Sequence, residues 1–340
     1  MVSRRAFITG GGIAGLGLLA RLYFRGDNPE IAQTTNAKVE VPKVEESHSQ
    51  IPIQEKTLED ISSIEDNLTR QYGENTAKYA LQIVDNGRRI RESPDKEKYL
   101  GGIEQKLREK FPLIKPPRLF GFTDEPREAE NVAMLYAARE KVLTRAKKDG
   151  IDIPINLIIA ALSNEGFSLD VDRTEASYQS GFMMYGLDTF GSEFNHIVER
   201  GYLPASFKSR FTVSEHINEA GRRVKSANFT KKQDAYEAFV ATLAHRQYLF
   251  LEDLRKNKIP RSEIPKEQVL FFTYKYYNGG PNSAEGLLRK KSVKEIDRFF
   301  KRVMTYGSTG NAYVVLAGAQ WLELSGAVDP RPQGKYWWSK

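Results

Sequence analysis

The chain has 340 residues, 40% hydrophobic and 28% charged, a balance that excludes wholesale disorder. It has no cysteine, which excludes disulfides, thiol nucleophiles and thiolate metal sites, and only four histidines (His48, His196, His216, His245), none at HxxH or HxxxH spacing, which argues against a His-based metal site or a Ser-His triad. Lys plus Arg is 51 against 44 for Asp plus Glu; the net +7 suits nucleic acid, a membrane surface or an anionic cell-wall polymer, and equally a plain basic surface.

The chain opens with Ser3-Arg4-Arg5-Ala6-Phe7-Ile8, followed by an apolar, glycine-rich stretch to Ala20. Two arginines before a short apolar core match a secretory signal, and the pattern resembles a twin-arginine export signal. The charge-free run Ala6–Ala20 is 15 residues, shorter than the roughly 20 a membrane span needs. No A-x-A cleavage site is evident, so residues 1–24 are read as an export signal or a retained membrane anchor. A dinucleotide-binding start at Gly10-Gly11-Gly12 and Gly15 is the competing reading; it lacks a preceding strand and a downstream acid.

Residues 25–56, with Asp27-Asn28-Pro29, Pro42 and Pro52, read as a flexible linker. A polar helical pattern runs from Leu58 to about Arg91, and a short second helix is expected after Gly101-Gly102. Phe111 to Pro117 reads as a connector. Residues 57–119 are therefore expected to form an N-terminal helical extension. Residues 127–148 predict an amphipathic helix closed by Gly150. Strand signals are scarce, and 120–330 reads as a mostly helical domain. The fold class expected is mainly α, with a small loop or hairpin region.

The chemistry concentrates in two places. Pro154 suits the first turn of a helix, and Ile155–Leu162 is apolar nearly all round, so this helix should be buried. It ends at Ser163-Asn164-Glu165-Gly166, placing Glu165 at the C-terminus of a buried helix. Desolvation and the negative end of the helix dipole both raise a carboxyl pKa there, which is what a general acid requires. An exposed, inert Glu is the alternative. The second place is Ile264–Pro281, expected to be a buried helix stopping at Gly279-Gly280-Pro281 with Tyr277 and Asn278 in its last turn. Amide and phenol groups hydrogen-bond sugar substituents, and tyrosine faces stack on sugar rings; a glycine-capped core helix would look the same.

These two segments, in this order and roughly 110 residues apart, resemble the lysozyme-like superfamily, closest to its soluble lytic transglycosylase branch. The motifs are Ala161-Leu162-Ser163-Asn164-Glu165, a middle segment at Gly181-Phe182-Met183-Met184 or Tyr185-Gly186-Leu187-Asp188, Tyr277-Asn278-Gly279-Gly280, and a late tyrosine, Tyr313, in a helix over Asn311–Leu324. The likeness covers about residues 150–325. Gly166 stands where the family usually has Ser after the acid, although Ser168 is near, and no glutamine follows the Met pair. Inserted helices between 195 and 260 are implied by the long gap.

The resemblance implies cleavage of peptidoglycan glycan strands in the cell envelope or periplasm, with Glu165 as general acid/base. It implies that Tyr277 and Asn278 hold the glycan, with Ser168, Met183, Tyr185, Asp188 and Tyr313 as further cleft residues. Asp188 alternatively caps a helix starting at Thr189. Glu175 is a candidate second carboxylate: about 5 Å from Glu165 would favour retention, and about 6.5–9.5 Å inversion. Asp170, Asp172 and Glu175 are otherwise solvated loop charges. With no partner carboxylate, one Glu protonates the glycosidic oxygen and then takes the substrate's own 6-hydroxyl proton, giving an anhydro product. No metal or organic cofactor is implied. A catalytically inert glycan-binding or scaffold module is the competing class. Nucleic acid is not an expected partner, because the basic runs (Arg88-Arg89, Arg222-Arg223, Lys231-Lys232, Arg289-Lys290-Lys291) are scattered among acids.

Overall fold

A computed structural model describes residues 58–111, 126–164, 182–217, 223–229, 231–288, 292–306 and 311–328. Residues 1–24 and 25–56, expected from the sequence to be an export signal or anchor and a linker, lie outside these residues. The architecture is mainly α, with one antiparallel hairpin. The described residues from Glu65 onward belong to one compact unit, whose boundary falls within the first helix. Among the described residues no helix is long and apolar enough to cross a membrane.

The pattern beginning at Leu58 is two helices, α1 (Leu58–Tyr72) and α2 (Glu74–Glu92). The break is Gly73, at φ 85° and ψ 155°, a backbone region that is essentially closed to residues with a Cβ. Helix α3 (Lys96–Lys110) runs through Gly101-Gly102, instead of starting after them. Each glycine costs about 1 kcal/mol relative to Ala, and burial of Ile103 and Leu107 outweighs it. Helix α4 (Pro126–Ala146) continues into a 3-10 turn that Gly150 closes at φ 73°, as the sequence predicts.

Helix α5 (Ile155–Asn164) leads to α6 (Phe182–Glu199), and strands β1 (Phe211–Ile217) and β2 (Arg223–Phe229) follow. The hairpin pairs Phe211 with Phe229 and Val213 with Ala227. Phe211 and Phe229 join Phe190, Phe194 and Phe207 in an aromatic cluster with ring separations of 5.2–6.4 Å. That cluster anchors the hairpin to α6.

Helix α7 (Lys232–Lys256) is the central element. It packs on α4, on α6 and on α8 (Lys266–Leu288), and it is buried on every side from Asp234 to Tyr248. Several of its polar residues are matched inside. Asp234 pairs with Arg210 at 2.8 Å, and Glu237 pairs with Lys141 at 2.6 Å and Arg145 at 3.3 Å. Gln247 accepts from the Asp152 N–H and donates to the Asp152 carbonyl.

Helix α8 does not stop at Gly279-Gly280-Pro281; it continues to Leu288. Break signals act on single backbone bonds, whereas propagation adds one bond per residue to a helix already buried at Gln268, Val269 and Phe271 through Tyr274. Helices α9 (Val293–Tyr306) and α10 (Asn311–Ser325) complete the unit. Helix α10 packs on α5 and α8 and touches α3. The turn after it is tied to α2, where the Tyr79 hydroxyl donates to the Val328 carbonyl at 3.1 Å and Asn86 donates to the Gly326 carbonyl at 3.2 Å. Helices from the N-terminal stretch thus belong to the same compact unit as α4–α10.

Candidate active site

Helix α5 starts as the sequence requires. The Pro154 carbonyl accepts from the Leu157 and Ile158 N–H groups, and proline's missing N–H costs nothing at this position. Leu157, Ile158, Ile159, Ala161 and Leu162 are essentially fully buried, each large side chain contributing about 1.5–3 kcal/mol. Asn156 donates to the Ala319 carbonyl at 3.0 Å, fixing α5 on α10.

The last residue of α5 makes the decisive contact. Asn164 Nδ2 donates to the Tyr274 hydroxyl at 3.0 Å. Tyr274 is fully buried on α8, and its ring lies 5.4 Å from that of Tyr277. Tyr277, also buried, packs edge-on against Phe239 of α7 at 5.5 Å. Asn278 follows and is exposed. The helix leading to Glu165 and the helix carrying Tyr277-Asn278 are thereby joined.

Glu165, Ser168 and Glu175 lie outside the described residues. Met183, Tyr185 and Asp188 fall in the first two turns of α6, their side chains outside the description. Asp188 is interior to that helix and so is not the N-cap of one beginning at Thr189. Tyr313 is buried, edge-on to Phe111 at 5.3 Å, so its ring serves packing and presents no open face to a ligand. Tyr277 likewise forms a wall, while Asn278 is open to solvent.

Sequence reasoning missed a buried ionic cluster beside this corner. Glu193 of α6 accepts a charge-assisted hydrogen bond from Arg246 Nη2 of α7. Arg246 is 3% exposed, and its Nε and Nη1 find no hydrogen-bond partner among the described residues. Burial pushes the Glu193 carboxyl up from its ordinary value, against the pull of Arg246 and His196. Burial, and then the Arg246, Arg200 and His196 charges, press His245 down to about 3, so it is neutral. The signal was present in His245-Arg246-Gln247, three consecutive polar residues between the apolar runs Phe239-Val240-Ala241 and Tyr248-Leu249-Phe250-Leu251 of one helix.

Glu193 and His245 floor a cleft of about 660 Å³, with Lys148, His196, Arg200 and Leu249 around them. Among the described residues no group of three or more metal-ligating side chains comes together. No protein-family model, curated protein or solved structure matches the chain.

Proposed function

We propose that the chain is a peptidoglycan glycan-strand-cleaving enzyme of the lysozyme-like type, exported to the cell envelope, with Glu165 as its general acid/base. One observation carries the reading: the Asn164–Tyr274 hydrogen bond. It ties the residue covalently preceding Glu165 to the helix of Tyr277 and Asn278, 110 positions away in sequence. The apolar helix behind Asn164 supports the acid role, because a carboxyl group following a buried helix terminus loses solvation and meets the negative end of the dipole. Asn278, exposed one residue beyond Tyr277, offers an amide to a sugar substituent. The positive balance of the chain favours approach to an anionic wall.

The reaction assigned to Glu165 begins with proton donation to the glycosidic oxygen as the C–O bond breaks. The resulting carboxylate then takes a proton either from the substrate's 6-hydroxyl, closing an anhydro ring, or from water. The test is incubation of the full chain with purified cell wall, followed by mass spectrometry of the soluble fraction. Release of anhydro-ended fragments identifies transglycosylation, and reducing ends identify hydrolysis. Retained wall binding without release, unchanged in Glu165→Gln, would instead identify an inert binding module.

A further inference from the structure

Positive charge is concentrated at and just before helix α9. In sequence, residues 289–302 hold seven cations and two acids, a net +5 against +7 for the whole chain. The cations of this stretch that lie within α9 are Lys294, Arg298, Lys301 and Arg302, and all of them are exposed. Their spacing of i, i+4, i+7 and i+8 gathers them on one face, roughly 100° wide and about 12 Å long.

The acids of the helix do not neutralise that face. Glu295 turns to the N-terminus, where it accepts from the Ser292 N–H at 2.9 Å. Asp297 accepts from Gln268 of α8 at 3.0 Å and pairs with Lys301 at 2.8 Å. Lys294, Arg298 and Arg302 form no ion pair with any described residue. Cations on other helices do find acids one turn away, as Lys78 does with Glu74, Arg89 with Asp85 and Arg255 with Glu252. In α9 the i+4 neighbours of Lys294 and Arg298 are themselves cations, a mutually repelling arrangement that a bound anion relieves.

The opposite side of α9 is occupied by the core. Ile296, Phe300, Val303 and Met304 are buried, and Phe300 packs edge-on against Phe271 of α8 at 5.4 Å. The helix is therefore held firmly and has no apolar side left to insert elsewhere. Its outer face is the convex side of a cylinder. Single-stranded nucleic acid is tracked by a charged groove with open rings for stacking; here the half-buried Phe299 ring lies under Arg302 at 5.6 Å. A bilayer has the complementary form. It is a plane of laterally mobile headgroups, and four or more Lys and Arg side chains on one amphipathic helix suffice to attract anionic ones.

We infer that α9 docks the chain on an anionic lipid surface through Lys294, Arg298, Lys301 and Arg302, by charge and without insertion. The inference does not depend on the glycan-cleaving reading, since none of these residues belongs to the corner beside Asn164.

The test is sedimentation of the full chain with vesicles of equimolar phosphatidylglycerol and phosphatidylcholine, compared with vesicles of phosphatidylcholine alone. Partition into the anionic vesicles should exceed partition into the neutral ones, and the excess should fall as salt is raised. The triple variant Lys294→Gln, Arg298→Gln, Arg302→Gln alters only exposed side chains; its circular dichroism should be native and its affinity for the anionic vesicles weaker by about a hundredfold. A second triple variant, Lys98→Gln, Lys106→Gln, Lys256→Gln, removes the same charge from exposed positions on α3 and α7 and should leave the excess in place. Equal partition into both vesicles, an excess that survives the α9 variant, or an equal loss in the second variant would each overturn the assignment. Displacement from the vesicles by duplex DNA or polyphosphate at equal phosphate concentration would assign the face to a soluble polyanion and overturn it as well.

Discussion

Asn164 and Tyr274 meet at 3.0 Å, amide to phenol, where the buried helix α5 ends against the buried helix α8. Neither side chain alone marks a site. Together they fix where the chain leaves α5, and therefore from which point Glu165 is presented. A net contribution of about 1 kcal/mol is ordinary for such a bond. Asn164→Ala and Tyr274→Phe should each lower stability by about that amount in urea denaturation, and the double variant should cost little more than either single one. Wall digestion should fall about tenfold or more in each, because small misplacements of a catalytic group are expensive in rate.

The Glu193–Arg246 pair makes an asymmetric prediction. Arg246→Met leaves a buried carboxylate without its cation and should lower stability by about 3–5 kcal/mol. Adding Glu193→Leu removes the orphaned charge and should restore most of that loss. Denaturant midpoints of the single and double variants measure the difference.

Acid should weaken the fold through His245. Its folded pKa, about 3, lies below the ordinary value of 6.5, so between these values the unfolded chain takes up a proton that the folded chain refuses. The contribution is intact above about pH 6.5 and is lost as pH falls towards 3, at up to about 1.4 kcal/mol per pH unit. Arg246, Arg200 and His196 press in the same direction, while Glu193 faces the ring from α6 with the opposite charge. Replacing His245 by Asn should flatten the slope of stability against pH over this window.

Three glycines should respond to alanine with different signs. Gly73, at φ 85° and ψ 155°, should lose about 2 kcal/mol, and Gly150, left-handed at φ 73°, about 1 kcal/mol. Gly101 lies inside α3, where an added methyl meets nothing within 4 Å, and Gly101→Ala should stabilise by about 0.5–1 kcal/mol. Thermal melting of the three variants distinguishes them.

What could be read from sequence divides along physical lines. Helices α4, α5 and α10 were legible because their apolar spacing and end signals agree: Pro154 at a start, Gly150 at a close. The course of α3 and α8 was not, because glycine and proline there signal a local cost without showing the burial that outweighs it. A small loop or hairpin region was expected but without a place in the chain, because the rings that hold Phe211 and Phe229 come partly from α6, distant in sequence. Within the candidate site, Tyr277 and Asn278 were visible as residue types, but the burial of Tyr277 and Tyr313 was not. Glu193 and Arg246 escaped because each looks like a surface charge until the packing of α6 on α7 encloses them.

The central claim rests on Glu165, and one comparison tests it most directly: mass spectrometry of soluble fragments released from purified peptidoglycan by the unaltered chain and by Glu165→Gln. The account predicts glycan fragments from the former and a loss of about a thousandfold or more from the latter, with wall binding retained. Fragment release at an equal rate by both proteins, or none by either, would contradict it.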